Sequence, residues 1–375
     1  MANYEVTIEA LSPIHIGGAQ GRLTSLDFWQ DKSYVYLVSE NKLAEILSRL
    51  DKIDDFVNFV KKGQHITLDD YLQQRNLKDK ISHEIVARRI EKGEPEICSN
   101  IMPFITDGAS SEPYLPASSV KGALRGAILY QVAKDSRELS EVKRKIKEMA
   151  DRGGRKDKNI GEKLDDTLRA QLPNDHNRKT PHGDWLRALR LTDAYALQGD
   201  FTEIQAVRIV SLNGDVGYHY GAKGIKLFVE VIRSGAKLKC RLTCDEESCG
   251  FLAALCGQSP PFKLDKWLEF SHKKCKDVLM AEKEFFRQAG LQGLVEELER
   301  IESLGANIRL GWGAGLLSSS LILRLSKEER TALRDCYFKS YNHLLFPKSR
   351  KVAVAKDKPA HTFGWAKITV NEITH

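Results

Sequence analysis

The chain has 375 residues, of which 42% are hydrophobic and 29% charged, with 27 glycines and 11 prolines; this composition belongs to a folded protein and excludes collagen-like, continuous coiled-coil and wholly disordered classes. Its length predicts roughly two to three domain-sized units, or one elaborated domain. A formal net charge of +7 suits an anionic partner or plain solubility and selects neither by itself.

No apolar run approaches the ~20 residues a bilayer demands, and the opening MANYEVTIEALSP lacks the basic and apolar regions of a signal peptide. No membrane association is therefore predicted, and the expected location is the cytoplasm. At the start of the chain Tyr4, Val6, Ile8 and Ala10 alternate with Glu5, Thr7 and Glu9, the period of a strand with one buried face. The pattern breaks at Ser12-Pro13 and is followed by Ile14-His15-Ile16-Gly17-Gly18, where the glycines permit a tight turn or a close approach to a ligand. Leu26 to Trp29 and Tyr34 to Val38, separated by polar residues, predict a hairpin. Leu43, Ile46, Leu47 and Leu50 open a stretch of helical spacing that predicts short helices over 41–94.

Turn formers between Pro103 and Pro116 give way to Ser118-Ser119 and an apolar run at helical spacing, predicting an N-capped helix over about 118–134. From Arg137 to about Thr180 the chain is polar and basic, read as a solvated helix followed by a loop. Strands are predicted over 189–192, 206–212, 226–232 and 238–243, with the glycine-rich 213–221 stretch as a hairpin tip. Helices follow over 262–304, and a last strand pair is expected around Arg309 to Gly315, ending at Leu321 to Leu325. This order predicts an α+β fold: a ferredoxin-like, RRM-like palm on an antiparallel sheet, with helical insertions.

The chemistry-bearing signals are few. Lys121 and Arg125 stand four apart at the head of the 118–134 helix, on one face beside its positive end, and form a phosphate cradle or else merely exposed cations. Gly311-Trp312-Gly313-Ala314-Gly315 fails the dinucleotide fingerprint in spacing and context; beside a single strand, Arg309 would meet phosphate and Trp312 would stack on a base, whereas the plainer reading is a tight turn with a buried tryptophan. His15 beside the first glycines has the position of a general base toward a ribose hydroxyl, yet a single histidine after a strand is more often structural. Asp27 suits the polar face of a strand, and no catalytic residue is assigned. Among seven cysteines, Cys240, Cys244, Cys249 and Cys256 lack zinc-knuckle spacing and are read as reduced thiols, so no metal or cofactor is expected.

Three segments in order carry a family resemblance: Leu11-Ser12-Pro13-Ile14-His15-Ile16-Gly17, Leu115-Pro116-Ala117-Ser118-Ser119-Val120-Lys121-Gly122-Ala123-Leu124-Arg125, and Leu310-Gly311-Trp312-Gly313-Ala314-Gly315. The chain resembles the RAMP superfamily of CRISPR effector proteins, departing only at Ala117, where glycine is usual, and within it the subunit that caps the crRNA 3′ end of type III-A Csm complexes. The resemblance implies a palm made of 1–40, 101–135, 185–244 and 305–326, insertions at 41–100, 136–184 and 245–304, a C-terminal extension at 327–375, and a β-hairpin thumb. It further implies a non-catalytic, RNA-binding role. His15, Gly17, Gly18, Ser118, Ser119, Lys121 and Arg125 would lie along the crRNA backbone, Arg208 at the thumb, and Gly311, Gly313 and Gly315 in the facing loop, to which the reading of the residues above adds Arg309 and Trp312 as RNA contacts. Implied partners are crRNA, target RNA, other Csm subunits, above all the adjacent backbone subunit, and host nucleases that trim the crRNA 3′ end. The rival expectations are an endoribonuclease with His15 as base, another backbone subunit, and a subunit whose basic face meets protein neighbours.

Overall fold

The computed structural model describes residues 2–19, 21–63, 66–152, 186, 189–197, 199–212, 218–219, 226–244, 264–337 and 345–373. In chain order the elements are β1 (Ala2–Ala10), β2 (Phe28–Gln30), β3 (Tyr34–Val38), α1 (Glu40–Arg49), α2 (Ile53–Val60), α3 (Leu68–Gln74), α4 (Lys78–Ile85), β4 (Val86–Lys92), β5 (Ile101–Met102), α5 (Ala117–Val132) and α6 (Arg137–Arg152). There follow β6 (Leu189–Leu191), β7 (Tyr195–Ala196), β8 (Thr202–Leu212), β9 (Tyr218–His219), β10 (Leu227–Ile232), β11 (Lys237–Cys244), α7 (Leu264–Gln288), α8 (Gln292–Ser303), β12 (Ile308–Arg309), α9 (Gly315–Ser319), α10 (Lys327–Tyr337), β13 (Ser349–Ala355), β14 (Lys358–His361) and β15 (Trp365–Glu372).

The palm sheet runs β12-β15-β1-β11-β6, with β7 also on β11, and its pairings are antiparallel. Register follows the alternation in the sequence: Val6 faces Cys240 and Val370, and Ile8 faces Leu238 and Ile368. A slip of one residue would turn Lys237, Lys239 and Arg241 into the core, so the pairing is strongly specified. Val120, Leu124 and Ile128 of α5 and Trp267 and Phe270 of α7 cover this apolar face. The other face is polar, with Lys239 on Glu5 at 3.0 Å.

The second sheet is built on β8, the long strand paired with β10, β13 and β9 antiparallel and with β4 parallel; β4-β3-β2 and β14 extend it. The architecture is therefore α+β with a ferredoxin-like palm and a second sheet beside it. Helices α1–α4 enclose a separate small core around Leu68, Tyr71, Leu72 and Ile85, in keeping with the helical spacing over 41–94. Helical spacing nevertheless misled over 86–92, which is strand β4: Val86 and Ile90 lie on the pairing partners of β3.

Three further expectations are corrected. Helix α6 is not simply solvated, because Leu139, Ile146 and Met149 are buried against the α7–α8 core; the remainder of the basic segment lies outside the described residues. The segment after the second glycine loop is helix α9 and a short 3-10 turn at Ile322–Arg324, not a strand. The partner strand comes instead from the expected C-terminal extension, where β15 lies between β12 and β1 at the centre of the palm. The hairpin tip at 213–221 falls outside the described residues except for β9, which pairs Ser211 with His219. Cys98, Cys240, Cys275 and Cys336 are free thiols, whereas Cys244 is disulfide-bonded, against the reduced-thiol reading. No described helix is long and apolar enough to cross a membrane.

Candidate nucleic-acid interface

The two glycine loops, almost three hundred positions apart in sequence, touch through the backbone. The Trp312 amide donates to the His15 carbonyl at 2.8 Å, and His15 and Trp312 form an antiparallel bridge. The first loop is held on all sides: Ile14 exchanges both hydrogen bonds with Ile232, Gly364 N–H donates to Pro13, and Ile105 N–H donates to Ile16. This contact demands glycine at 311. Its φ is +74°, and a Cβ there would collide with the His15 carbonyl oxygen. Gly313, at φ +97°, would place a Cβ 2.7 Å from that of Phe363. Gly17 is exposed and Gly18 packs on Ile105.

His15 is 1% exposed. Its Nδ1–H donates to the Glu230 carbonyl at 2.7 Å, and its ring meets Phe104 and Trp312 edge-on. Burial lowers its pKa, outweighing the opposing pull of Glu230, so the imidazole is neutral at pH 7. The expected contact between this side chain and an RNA backbone is not available to an enclosed ring; the residue acts by shaping the loop. Glu230 itself is wholly buried, paired with Arg88 and accepting from Phe104 N–H, which ties β4 of the helical insertion to the site.

Helix α5 begins at Ala117 with Pro116 in the capping position, so Ser118 and Ser119 fall in the first turn and cap nothing. The Ala117 amide donates to Asp193 Oδ1 at 2.7 Å, and this carboxylate already occupies part of the positive end that the cradle reading reserved for phosphate. The cations remain: Lys121 and Arg125 are half-buried on one side of α5, while Ser118 and Gly122 are exposed. The helix packs on α7, α9 and β12, which brings all three motif segments around one core containing Ile14, Val120, Leu124 and Leu310.

Two of the arginines expected at the RNA are engaged within the chain. Arg309 is buried, and its guanidinium donates to Glu282 at 2.9 Å, to the Phe363 carbonyl at 3.0 Å and to the Gly313 carbonyl at 3.2 Å. Arg350 takes the other oxygen of Glu282 at 2.6 Å. Burial pushes the Glu282 carboxyl up, and the two guanidiniums overcome it and hold the group ionised. Arg309 thus props the second glycine loop from behind. Arg208 is 9% exposed, pairs opposite Val352 and donates to Asp357 at 3.0 Å; it joins β8 to the β13–β14 turn instead of projecting from the thumb. Trp312 is half-buried between His15 and Phe363, with Lys351 Nζ 3.9 Å from its ring centre.

Lys351 is the functional candidate that sequence reading missed. It lies in β13 opposite Ile209 and lines a 240 Å³ cleft together with Gly313, Gly315, Leu316 and Ser349, and burial lowers its pKa. The basic run Lys348-Ser349-Arg350-Lys351 was the available signal, but it sits where an extension was expected. Among the described residues, no group of three or more His, Cys, Asp or Glu side chains is placed to hold a metal ion.

Interlocked glycine loops against a cation-bearing helix on a ferredoxin-like palm define a class of protein, and the RAMP superfamily model matches residues 7–317; the chain belongs to that superfamily. Within it, the chain is 24% identical over 409 aligned residues to the CRISPR system Cms protein Csm5 of Methanocaldococcus jannaschii, with 98% of this chain and 89% of that protein covered. Two solved structures share the fold. One is a chain of a Csm–crRNA–target RNA ternary complex of a type III-A CRISPR–Cas system, with a TM-score of 0.69 at 21% identity over 98% of this chain and 100% of that one. The other is Csm5 of T. onnurineus, with a TM-score of 0.63 at 20% identity over 96% and 99%.

Proposed function

We propose that this chain is the crRNA-binding, non-catalytic subunit at the 3′ end of the guide in a type III-A Csm complex, with the neighbouring backbone subunit, crRNA and target RNA as its partners and a supporting role in crRNA maturation. The observation that carries the reading is the His15–Trp312 bridge, which joins the two glycine loops, the second of them flanked by β12 and α9, both packed on α5. Support comes from similarity to Csm5 along nearly the whole chain and from the fold shared with a chain of a Csm–crRNA–target RNA complex. A ribose-phosphate strand is gripped by backbone and cations without reading its bases, which leaves sequence recognition to pairing between guide and target.

The endoribonuclease reading requires an accessible base, and the candidate imidazole is enclosed with one nitrogen bonded to Glu230, which counts against it. The test is copurification: tagged full-length chain expressed with its complex should bring down Csm subunits and crRNAs of defined 3′ end. Deleting the chain should then shift or blur that 3′ end in RNA sequencing. Recovery of the complex with an unchanged guide population in its absence would refute the assignment.

A further inference from the structure

One flank of α5 is left open by small residues. Ser118, Gly122 and Gly126 succeed one another along it, with Ser119 beside them, in a stripe centred roughly a quarter of a turn from Lys121 and Arg125 and adjoining Arg125 at Ser118. A Cβ at Gly122 would meet nothing within 4 Å, and one at Gly126 would meet a single atom, Lys274 Nζ, at 2.9 Å. Lys274, on α7, is 6% exposed. It makes no hydrogen bond or ion pair with any described residue; its one contact of note is the Tyr130 ring, 5.8 Å away. The nearby carboxylate of Asp277 is taken by the Tyr130 hydroxyl at 2.8 Å. Lys274 opens onto a cavity of 20 Å³ between α5, α7 and α9, lined also by Ser271, Arg309 and Ser318, with room for about one water-sized atom. Ser318 Oγ, buried in that lining, has no hydrogen-bond partner either.

A buried ammonium without an acceptor is costly, and a hydroxyl left unpaired beside it adds to the cost. Burial, reinforced by Arg324, pulls the Lys274 pKa down to about 8, so at neutral pH the group still carries charge that no described residue pairs with. An oxyanion would satisfy both groups at once. We infer that Lys274 and Ser318 form an oxyanion point on the flank of α5 beside its own cations, receiving one phosphate oxygen of a single-stranded RNA that lies along Ser118, Gly122 and Gly126. The inference deepens the RNA-binding reading and rests on it. Glycine at 126 then has a reason: any side chain there would stand between the ammonium and the strand.

The experiment uses the full-length chain and a fluorescently labelled single-stranded RNA, with anisotropy followed over a salt titration. Lys274→Met should weaken binding roughly tenfold at low salt and reduce the slope of log K against log salt by about 0.7, while its thermal midpoint stays equal to or above that of the parent, since an uncompensated charge has left the interior. Gly126→Ala, which keeps the lysine but obstructs it, should weaken binding in the same direction. Wild-type affinity and slope in both variants would overturn the inference while leaving the RNA-binding reading standing. If the parent chain binds no RNA, inorganic phosphate separates the two ideas: stabilisation of the parent but not of Lys274→Met retains the oxyanion point and removes the RNA, and stabilisation of neither removes both.

Discussion

Gly311 is constrained twice, by a backbone angle that side-chain-bearing residues rarely adopt and by the His15 carbonyl oxygen that a Cβ would strike. Gly311→Ala is therefore expected to cost about 1–3 kcal/mol of stability from the backbone angle alone, and to separate the two loops. Urea unfolding and RNA binding should both register the change, and a variant with unaltered midpoint and affinity would show that the loops do not need this contact. Glycine at 311 and histidine at 15 are visible in the sequence as unusual choices. What those residues touch is not: an imidazole beside two glycines reads equally well as a base or as packing, and only its 1% exposure and its bond to Glu230 decide for packing. Arg309 shows the same ambiguity, since an arginine before a glycine loop serves phosphate or carboxylate equally, and its carboxylate, Glu282, comes from a helix that sequence proximity does not suggest.

Among the elements, β15 carries the largest surprise. Reading the chain in order ends the palm near residue 326, yet β15 is the strand that β1 and β12 share, and the first loop hangs on it through Leu11 and Ser12 N–H bonds to the Trp365 carbonyl. Trp365 is fully buried, with its indole N–H donating to Thr362 and Arg309 stacked on its ring at 4.4 Å. Trp365→Ala is expected to cost about 3–5 kcal/mol, lowering the denaturant midpoint of the whole palm; a loss below ~1 kcal/mol would return β15 to the status of an appendage. Helices were the more legible elements, because their apolar spacing persists over several turns. Strand β4, seven residues long, borrowed a helical look from the charged helix it follows.

For the molecule as a whole, the excess of positive charge acquires meaning from where it is placed. Lys121 and Arg125 lie on α5, which packs on β12 and α9 at either end of the second glycine loop, and Lys351 caps Trp312 from the second sheet. Replacing Lys121 and Arg125 together by alanine should weaken binding of single-stranded RNA across all sequences and lower the salt slope by about 1.4, the share of two phosphate contacts, with the circular dichroism spectrum unchanged. Equal affinity of parent and double variant over the full salt range would remove α5 from the interface.

From the amino-acid order alone came the local facts: the alternation that makes β1 and β11 one-faced, the periodicity of α5 and α7, the tight turns at glycine, and the family likeness carried by three short motifs. These are legible because each depends on neighbours a few positions away. The partners of His15, Arg208 and Arg309, the place of β15, and the cleft beside Lys351 were decided by the tertiary structure, because burial and ion pairing are set by residues brought from distant parts of the chain, and a charged side chain declares its role only when its counter-charge is in place.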